Sequence, residues 1–389
     1  MEFDSSFFDA GLERRHTDCE KWDGMVDEHH DPEMIPMWVA DMDFRSAPAI
    51  ADAVKRVAEQ GTWGYTLSGE RDARALCDYW KRRHGVGFEP KDVQMGPCVV
   101  SELRLCVRAL TEPGDGVLIF TPVYGPFYAS ITESGRRVVG SAMLRDERGR
   151  YTLNLADAEG KLAAREAKMV MFCSPHNPCG RAWTEEELAG VVNLCYKYGV
   201  PLVCDEIHAD FVYAPNAHHS ILNLPHADEL AVMLCAASKT FNVAGLQQAS
   251  LVCKNERMRE AIAKESTACG VKSGNVFALA ATRAAYTDCD AWLDGLKAYL
   301  VGNRDCVTAY AKAHFPKVIV TPLEATYLMW LDCRALGLEQ EELMRRLLNA
   351  HVKVNDGLFL GGRGFIRLNI GCPRAQLNAA LERMKDVLN

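Results

Sequence analysis

The side chains best suited to chemistry in this sequence are an amine, a carboxylate and an amide, those of Lys239, Asp205 and Asn177. Each follows a short apolar run, and the three runs are Met169–Cys173, Val200–Cys204 and Ala231–Cys235. Taken singly, Asn-Pro is a turn, an aspartate after a strand often caps a helix, and Ser-Lys is commonly solvated surface. Taken together, in this order and each after an apolar run, they indicate one site.

One cofactor would use all three of these side chains. Pyridoxal 5'-phosphate needs a lysine amine for a Schiff base, a carboxylate that keeps its pyridine nitrogen protonated, and a donor that holds its phenolic oxygen. Lys239, Asp205 and Asn177 have the chemistry for these roles, in that order. We therefore expect a pyridoxal phosphate site where the three apolar runs end.

The apolar runs alternate with helical patterns, which predicts an α/β fold with a mostly parallel central sheet and helices on both faces. Thr184 and Glu187 form a capping box, so a helix is expected to connect two of the runs. Shorter strands and helices near the C-terminus predict a smaller α+β domain. The expected division is an N-terminal segment at 1–45 that joins the small domain, a large cofactor domain at 46–285, and the small domain at 286–389.

The composition is that of an enzyme-sized globular protein, with 389 residues, 48% of them hydrophobic and 25% charged. A net charge of -8 without a basic stripe argues against nucleic-acid binding. The first residues lack signal-peptide character and no apolar stretch has the length of a membrane span, so we expect a cytoplasmic protein without membrane contact. The fifteen cysteines form no CxxC pair or ligand cluster, and we expect reduced core thiols and no metal site.

Further segments accompany the three motifs along nearly the whole chain. They are Phe8-Asp9, Arg14-Arg15, Lys21–Asp23, Met37–Phe44, Gly64–Thr66, the DEIH at Asp205–His208 and the SKTFN at Ser238–Asn242. In this combination the sequence resembles the fold type I pyridoxal phosphate enzymes of the class I/II aminotransferase superfamily. Within that superfamily it resembles the cystathionine β-lyase or cysteine-S-conjugate β-lyase type. The resemblance implies a two-domain chain that forms a homodimer.

The resemblance also implies roles for the residues around the cofactor ring. It makes Lys239 the Schiff-base lysine and the base for the substrate α-proton, and Asp205 the partner of the ring nitrogen. Burial in a cleft should lower the pKa of that lysine, which suits proton transfer. Tyr124 would stack on the ring, although core filling is the alternative. His208 would bond near the phenolic oxygen that Asn177 holds, with a structural histidine as the alternative.

At the phosphate, the resemblance implies a helix N-terminus whose free amides favour an anion. The amides of Val99 and Val100 and the hydroxyl of Ser238 would be the donors. Tyr65 would reach the phosphate across the homodimer interface, with core packing as the alternative. Many relatives carry an arginine where this sequence has Gln247, so the charge balance at the phosphate differs here.

The substrate carboxylate needs an anchor, and a guanidinium can provide two parallel hydrogen bonds. Arg367 lies in an otherwise apolar strand pattern, and the resemblance favours a carboxylate clamp over a structural salt bridge. The backbone at Ala40 and the amide of Asn177 would add contacts to the substrate. Ala325 stands where a glycine usually precedes the Thr-Tyr pair, which suggests a differently shaped substrate pocket.

Three functions follow from the resemblance and stay open at this point. The first is a carbon–sulfur β-lyase that converts L-cystathionine or another L-cysteine S-conjugate to a thiol, pyruvate and ammonia. The second is an aminotransferase of a small amino acid, which would need a 2-oxo acid partner. The third is a regulatory or binding protein that retains the cofactor fold without metabolic turnover.

Overall fold

Two β-sheets and the helices around them organise the computed structural model, which describes residues 3–271 and 274–389. The strands of both sheets, with a short hairpin, are β1 (Ile35–Met37), β2 (Val93–Gly96), β3 (Gly116–Thr121), β4 (Arg137–Ala142), β5 (Leu144–Arg145), β6 (Tyr151–Thr152), β7 (Met169–Cys173), β8 (Leu202–Asp205), β9 (Ala231–Cys235), β10 (Ala249–Val252), β11 (Ile319–Val320), β12 (Leu328–Asp332), β13 (Val352–Asp356) and β14 (Phe365–Asn369). The α-helices are α1 (Ser5–Asp9), α2 (Met25–His29), α3 (Pro48–Glu59), α4 (Glu70–His84), α5 (Val99–Leu110), α6 (Gly125–Thr132), α7 (Leu155–Ala163), α8 (Glu185–Tyr198), α9 (Ala227–Leu230), α10 (Ala237–Thr240), α11 (Glu256–Ala268), α12 (Val276–Asp288), α13 (Asp290–His314), α14 (Gln340–Asn349) and α15 (Arg374–Leu388). Among the residues described, no helix has the length and apolar character that a membrane crossing requires.

The larger sheet has seven strands in the order β2-β10-β9-β8-β7-β3-β4. The strands β9, β8, β7, β3 and β4 are mutually parallel. Every residue of β7, β8 and β9 is buried, as expected for parallel strands covered on both faces. The mostly parallel α/β sheet predicted from the sequence is therefore confirmed.

The strand β10 is the exception, although its apolar run was part of the pattern that predicted a parallel sheet. It runs antiparallel to both of its neighbours, β9 and β2. The connection from β9 holds only α10 and a 3-10 turn at Ala244–Leu246, without a helix that crosses the sheet. The chain therefore re-enters the sheet from the carboxyl end of β9, and the turn that carries Lys239 stays at that edge.

The helix between β7 and β8 begins where the sequence predicts. Thr184 Oγ1 accepts a hydrogen bond from the Glu187 amide at 3.2 Å, and the Glu187 carboxylate accepts one from the Thr184 amide at 2.9 Å. The helix ends at Tyr198, because Gly199 takes a left-handed conformation with φ of 62°. This capped helix returns the chain to the other end of the sheet, so that β7 and β8 end at the same edge.

The smaller sheet has the order β1-β13-β14-β12-β11, and β1 pairs in parallel with β13. The sequence pattern missed β1, β13, β2 and β4, which are short or only partly buried. The long helical region expected from about residue 275 is two helices, α12 and α13, which meet at Cys289. We propose to retain the division at 1–45, 46–285 and 286–389, and the pairing of β1 with β13 supports the assignment of the N-terminal segment to the small domain.

Candidate active site

The carboxyl ends of β7, β8 and β9 meet at a cavity of about 140 Å³. Most of the residues predicted from the sequence line it, namely Ala40, Val99, Val100, Tyr124, Asn177, Asp205, His208, Ser238 and Lys239. A larger surface groove of about 870 Å³, between Ser68 and Met95, contains none of these residues. The smaller cavity is therefore the candidate active site.

Lys239 lies on the short helix α10, partly buried, with its amine in the cavity. Its Nζ donates a hydrogen bond to the carbonyl oxygen of Ala40 at 2.8 Å. Burial lowers the pKa of Lys239, and the nearby Arg367 adds to this effect, while Asp41 and Asp205 oppose it. No carboxylate among the described residues forms an ion pair with this amine. A lowered pKa favours the uncharged amine, which can act as a nucleophile and a base.

Asp205 is the last residue of β8 and is buried. Its carboxylate accepts one hydrogen bond, from the amide of Ile207 at 3.0 Å. Burial raises the pKa of Asp205 to about 7, and the Ile207 amide and Lys239 oppose the increase. A buried carboxylate that accepts so few hydrogen bonds is suited to bind a cationic ligand group, and a protonated pyridine nitrogen is such a group.

Arg367 lies on β14 of the smaller sheet and contacts Asn177, which lines the cavity. Its Nη1 donates to Asn177 Oδ1 at 3.0 Å and its Nη2 donates to the Trp38 carbonyl at 3.4 Å, whereas its Nε has no partner among the described residues. Burial lowers the pKa of Arg367 to about 10. Within residues 3–271 and 274–389 no carboxylate pairs with it, so the alternative of a structural salt bridge has no partner and the guanidinium is available to an anion.

Two ring side chains complete the cavity. Tyr124 caps the N-terminus of α6 and is partly buried, so it faces the cavity and not the core alone. His208 is buried, and its Nδ1 has no hydrogen-bond partner in the described part of the chain. Burial lowers the pKa of His208 to about 3, and Lys239 and Arg367 contribute, so this ring is neutral.

The N-terminus of α5 forms the other end of the cavity. Val99 and Val100 are its first two residues and Cys98 is its N-cap, whose side chain accepts no hydrogen bond from the free amides. Ser238, Gln247 and other polar residues line the same end. Free helix amides next to a hydroxyl form a suitable site for a phosphate group.

Comparison with known proteins agrees with this geometry. The model of the family described as aminotransferase class I and II matches residues 32–384 of the chain. The chain belongs to this family. It is 36% identical over 386 residues to the cystathionine beta-lyase PatB of Bacillus subtilis (strain 168), which covers 98% of this chain and 100% of that protein. It is 33% identical to the protein MalY of Escherichia coli (strain K12), with 95% of each chain covered.

Among solved structures, cystalysin from Treponema denticola, which contains a pyridoxal 5'-phosphate cofactor, superposes with a TM-score of 0.93. The match covers 97% of each chain at 29% sequence identity. The class I and II aminotransferase fold predicted by the resemblance is therefore confirmed, with both of its sheets.

Among the residues predicted to bind the cofactor or the substrate, Tyr65 is the one that lies away from the cavity. It is fully exposed in the segment between α3 and α4, and the neighbouring Trp63 and Leu67 are also exposed. Core packing, the alternative for Tyr65, does not occur within this chain. A contact across a subunit interface stays a proposal.

The structure also shows supporting residues that sequence reasoning did not assign. Tyr327 donates from its hydroxyl to the Ala40 carbonyl at 3.0 Å, the same oxygen that Lys239 contacts. Lys21 Nζ donates to the Asp43 carboxylate at 2.8 Å and to the Asp41 carbonyl at 3.2 Å. These contacts fix the segment that carries Ala40. The Lys-Trp-Asp motif at 21–23 was a signal of family resemblance, but its partner at Asp43 could not be read from spacing.

Proposed function

We propose that this chain is a pyridoxal 5'-phosphate-dependent carbon–sulfur β-lyase, which converts L-cystathionine or a related L-cysteine S-conjugate to a thiol, pyruvate and ammonia. One observation carries the proposal: among the described residues, neither the Lys239 amine in the cavity nor the Arg367 guanidinium on the lining residue Asn177 has a carboxylate partner. The similarity over nearly the whole chain to PatB, a cystathionine β-lyase, favours this reaction over others in the family.

The residues present fit the cofactor, because the cavity offers a partner for each of its polar groups. Asp205 would hold the ring nitrogen, Asn177 the phenolic oxygen, and the amides of Val99 and Val100 the phosphate. When bound, the cofactor supplies an electron-withdrawing ring that stabilises negative charge at the substrate Cα. The neutral His208 and the ring of Tyr124 border the space that this ring would fill.

The chain itself would orient the substrate and move its α-proton. The Arg367 guanidinium would bind the substrate carboxylate through two hydrogen bonds, which fixes the orientation of the Cα–H bond. Lys239 Nζ would then accept the α-proton, and its lowered pKa leaves a fraction of the amine uncharged for this step. The fixed carbonyl of Ala40 holds that amine on one side of the cavity.

Elimination then follows from the nature of the β-substituent. The electron pair of the Cα–H bond forms the Cα–Cβ double bond, and the Cβ–S bond breaks with its electron pair on sulfur. The thiolate takes up a proton and leaves as a thiol. The remaining 2-aminoacrylate tautomerises and adds water, which yields pyruvate and ammonia in equal amounts. No oxidant or second substrate is needed.

Incubation of the purified protein with cystathionine, without any 2-oxo acid, tests the proposal. We expect pyruvate and free thiol in equal amounts from the full chain loaded with pyridoxal phosphate. The same protein with Lys239 replaced by Met is the control for uncatalysed release. Turnover that begins only after addition of a 2-oxo acid would identify an aminotransferase instead.

We also propose a homodimer in which Tyr65 of one subunit reaches the phosphate of the other. The full exposure of Tyr65 beside exposed Trp63 and Leu67 supports an interface at this segment. Light scattering should give twice the mass of one chain. Tyr65→Ala, which keeps the backbone, should weaken cofactor binding if the ring reaches the phosphate, and unchanged affinity would contradict this role.

A further inference from the structure

The helix proposed to hold the phosphate, α5, carries a buried carboxyl group that the proposed reaction does not use. Glu102 is fully buried, and both of its carboxyl oxygens lack a hydrogen-bond partner among the described residues. The carboxyl packs so closely on Gly96 that even a methyl group there would collide with it. Burial raises the pKa of Glu102 to about 7. This acid therefore changes its charge near neutral pH.

The position of Glu102 places its charge close to the phosphate end of the cavity. It lies three residues after Val99, which is about 4.5 Å along the helix axis at 1.5 Å per residue. An anion on the first amides of α5 and an ionised Glu102 would repel each other through the interior, where water screens little. Among the described residues, the side-chain cations at this cavity are Lys239, which lines it, and Arg367, which contacts the lining residue Asn177, while Gln247 is uncharged.

The ionisable groups on α5 and on the elements packed against it set the electrostatic surroundings of Glu102. On α5 itself the nearest is Cys106, which is coupled in turn to Cys253 after β10, and burial raises the pKa of both thiols, so both are neutral. The strand β2 contributes Gln94, which is uncharged. The elements packed against α5 carry Cys235 on β9, Cys204 and Asp205 on β8, and Tyr128 on α6. The helix α11 adds Glu256, Arg257, Arg259, Glu260, Lys264 and Glu265, of which Glu265 forms an ion pair with Arg108 of α5.

We propose that Glu102 carries a proton whenever the phosphate is bound, so that the phosphate-bearing cofactor and a proton bind the chain together. The inference rests on the proposed cofactor site. Above neutral pH, ionisation of Glu102 competes with the phosphate and cofactor affinity falls. Pyridoxal, which lacks the phosphate, escapes this competition.

Glu102→Gln tests the proposal, because it keeps the shape of the side chain and removes its ionisation. The full-length chain, freed of cofactor, is titrated with pyridoxal phosphate and separately with pyridoxal at about pH 6 and about pH 8.5, and tryptophan fluorescence gives Kd. We divide the Kd of the wild type by the Kd of Glu102→Gln at each pH. For pyridoxal phosphate we expect this ratio to rise about tenfold from the lower to the higher pH, which is equivalent to one pKa unit. The ratio for pyridoxal should change less than about twofold.

The ratio cancels the titration of the phosphate itself and of Asp205, which both proteins share. Glu112→Gln is the matched control, since it removes an exposed carboxylate just beyond the far end of α5, and it should follow the wild type. Glu102→Met provides a second uncharged variant should the Gln variant not fold, as judged by circular dichroism.

Two results separate this inference from the proposed function. A Kd ratio for pyridoxal phosphate that stays constant with pH, or a pyridoxal ratio that changes as much, overturns the role of Glu102 alone. A wild-type chain that binds pyridoxal phosphate at neither pH overturns the proposed function and this inference together.

Discussion

Two lysines beneath the surface, Lys21 and Lys239, show opposite electrostatic behaviour. Burial alone would lower the pKa of Lys21, but the carboxylates of Asp43 and Asp41 outweigh burial and raise it. Among the residues that the structure describes, the Lys239 amine donates a hydrogen bond only to the carbonyl of Ala40, and its pKa is lowered. Lys21, which has carboxylate partners, has a structural role, whereas Lys239, which has no such partner among the described residues, remains reactive.

The two lysines are linked by one backbone segment. Lys21 and Arg14 bind the carboxylates of Asp41 and Asp43, and the carbonyl of Ala40 just before them accepts the bond from Lys239. The paired charges thus fix the oxygen that orients the unpaired amine. The chemical role of each of these lysines therefore depends on its hydrogen-bond and ion-pair partners, and burial alone does not determine it.

The largest expected effect is on turnover, from replacing the unpaired lysine. Lys239→Met should reduce lyase turnover by at least about 10⁴-fold, because it removes both the Schiff-base amine and the base. The absorbance of the enzyme-bound imine should disappear as well. Lys297→Met is the control, since burial also lowers the pKa of Lys297 but it lies outside the cavity. Retained turnover of Lys239→Met would contradict the assignment of Lys239 as the Schiff-base amine and the base.

The same substitution at the paired lysine should affect stability instead. Lys21→Met leaves Asp43 with Arg14, the Trp22 indole and the Gln376 amide as remaining partners, so the free energy of unfolding should fall by about 3 kcal/mol. Urea unfolding of the cofactor-free protein measures this change, with Lys239→Met expected to be at least as stable as the wild type. The imine absorbance of Lys21→Met should persist. Equal stability of the two variants would contradict the distinction.

A smaller effect is expected at the unpaired guanidinium. Arg367→Lys keeps a positive charge but cannot make two parallel hydrogen bonds, so kcat/KM should fall by about 100-fold. The imine absorbance should be unchanged, because Arg367 is proposed to contact the substrate. Steady-state pyruvate formation measures the loss. An unchanged kcat/KM would show that the substrate carboxylate binds elsewhere.

The smallest predicted effect is on the pH dependence of stability, and it comes from the buried carboxyl groups. The pKa of Glu102 is raised to about 7 from its ordinary 4.5, so the folded state binds more protons and loses stability as pH rises between these values. Relative to Glu102→Gln, the wild type should lose about 2 kcal/mol from pH 5 to pH 8 in urea unfolding.

The paired Asp43 should behave in the opposite way. Burial opposes ionisation of Asp43, but Lys21 outweighs it and lowers the pKa, so this contribution to stability is lost as pH falls. An Asp43→Asn variant should therefore differ least from the wild type at acid pH. A difference that stays constant with pH for both carboxyls would contradict the assigned charges.

Much of the fold and the core of the site could be predicted from the sequence. The buried strands β7, β8 and β9 appear as short apolar runs, and the polar residues after them lie at one cavity. The short strands β1 and β13 could not be predicted, because their patterns are brief and they are only partly buried. The burial of the Glu102 carboxyl without a hydrogen-bond partner among the described residues was missed as well. A single acidic residue on an amphipathic helix forms no sequence pattern that would indicate burial.

The sequence by itself determined which chemical groups this protein has and that Lys239, Asp205 and Asn177 follow strand ends, because apolar periodicity is a local property. Only the tertiary structure decided that Arg367 faces Asn177 without a carboxylate partner, that Lys21 is paired and that Lys239 is not. The reason is physical: the pKa and reactivity of a charged group depend on burial and on partners that are distant in the chain, and only the fold brings these together.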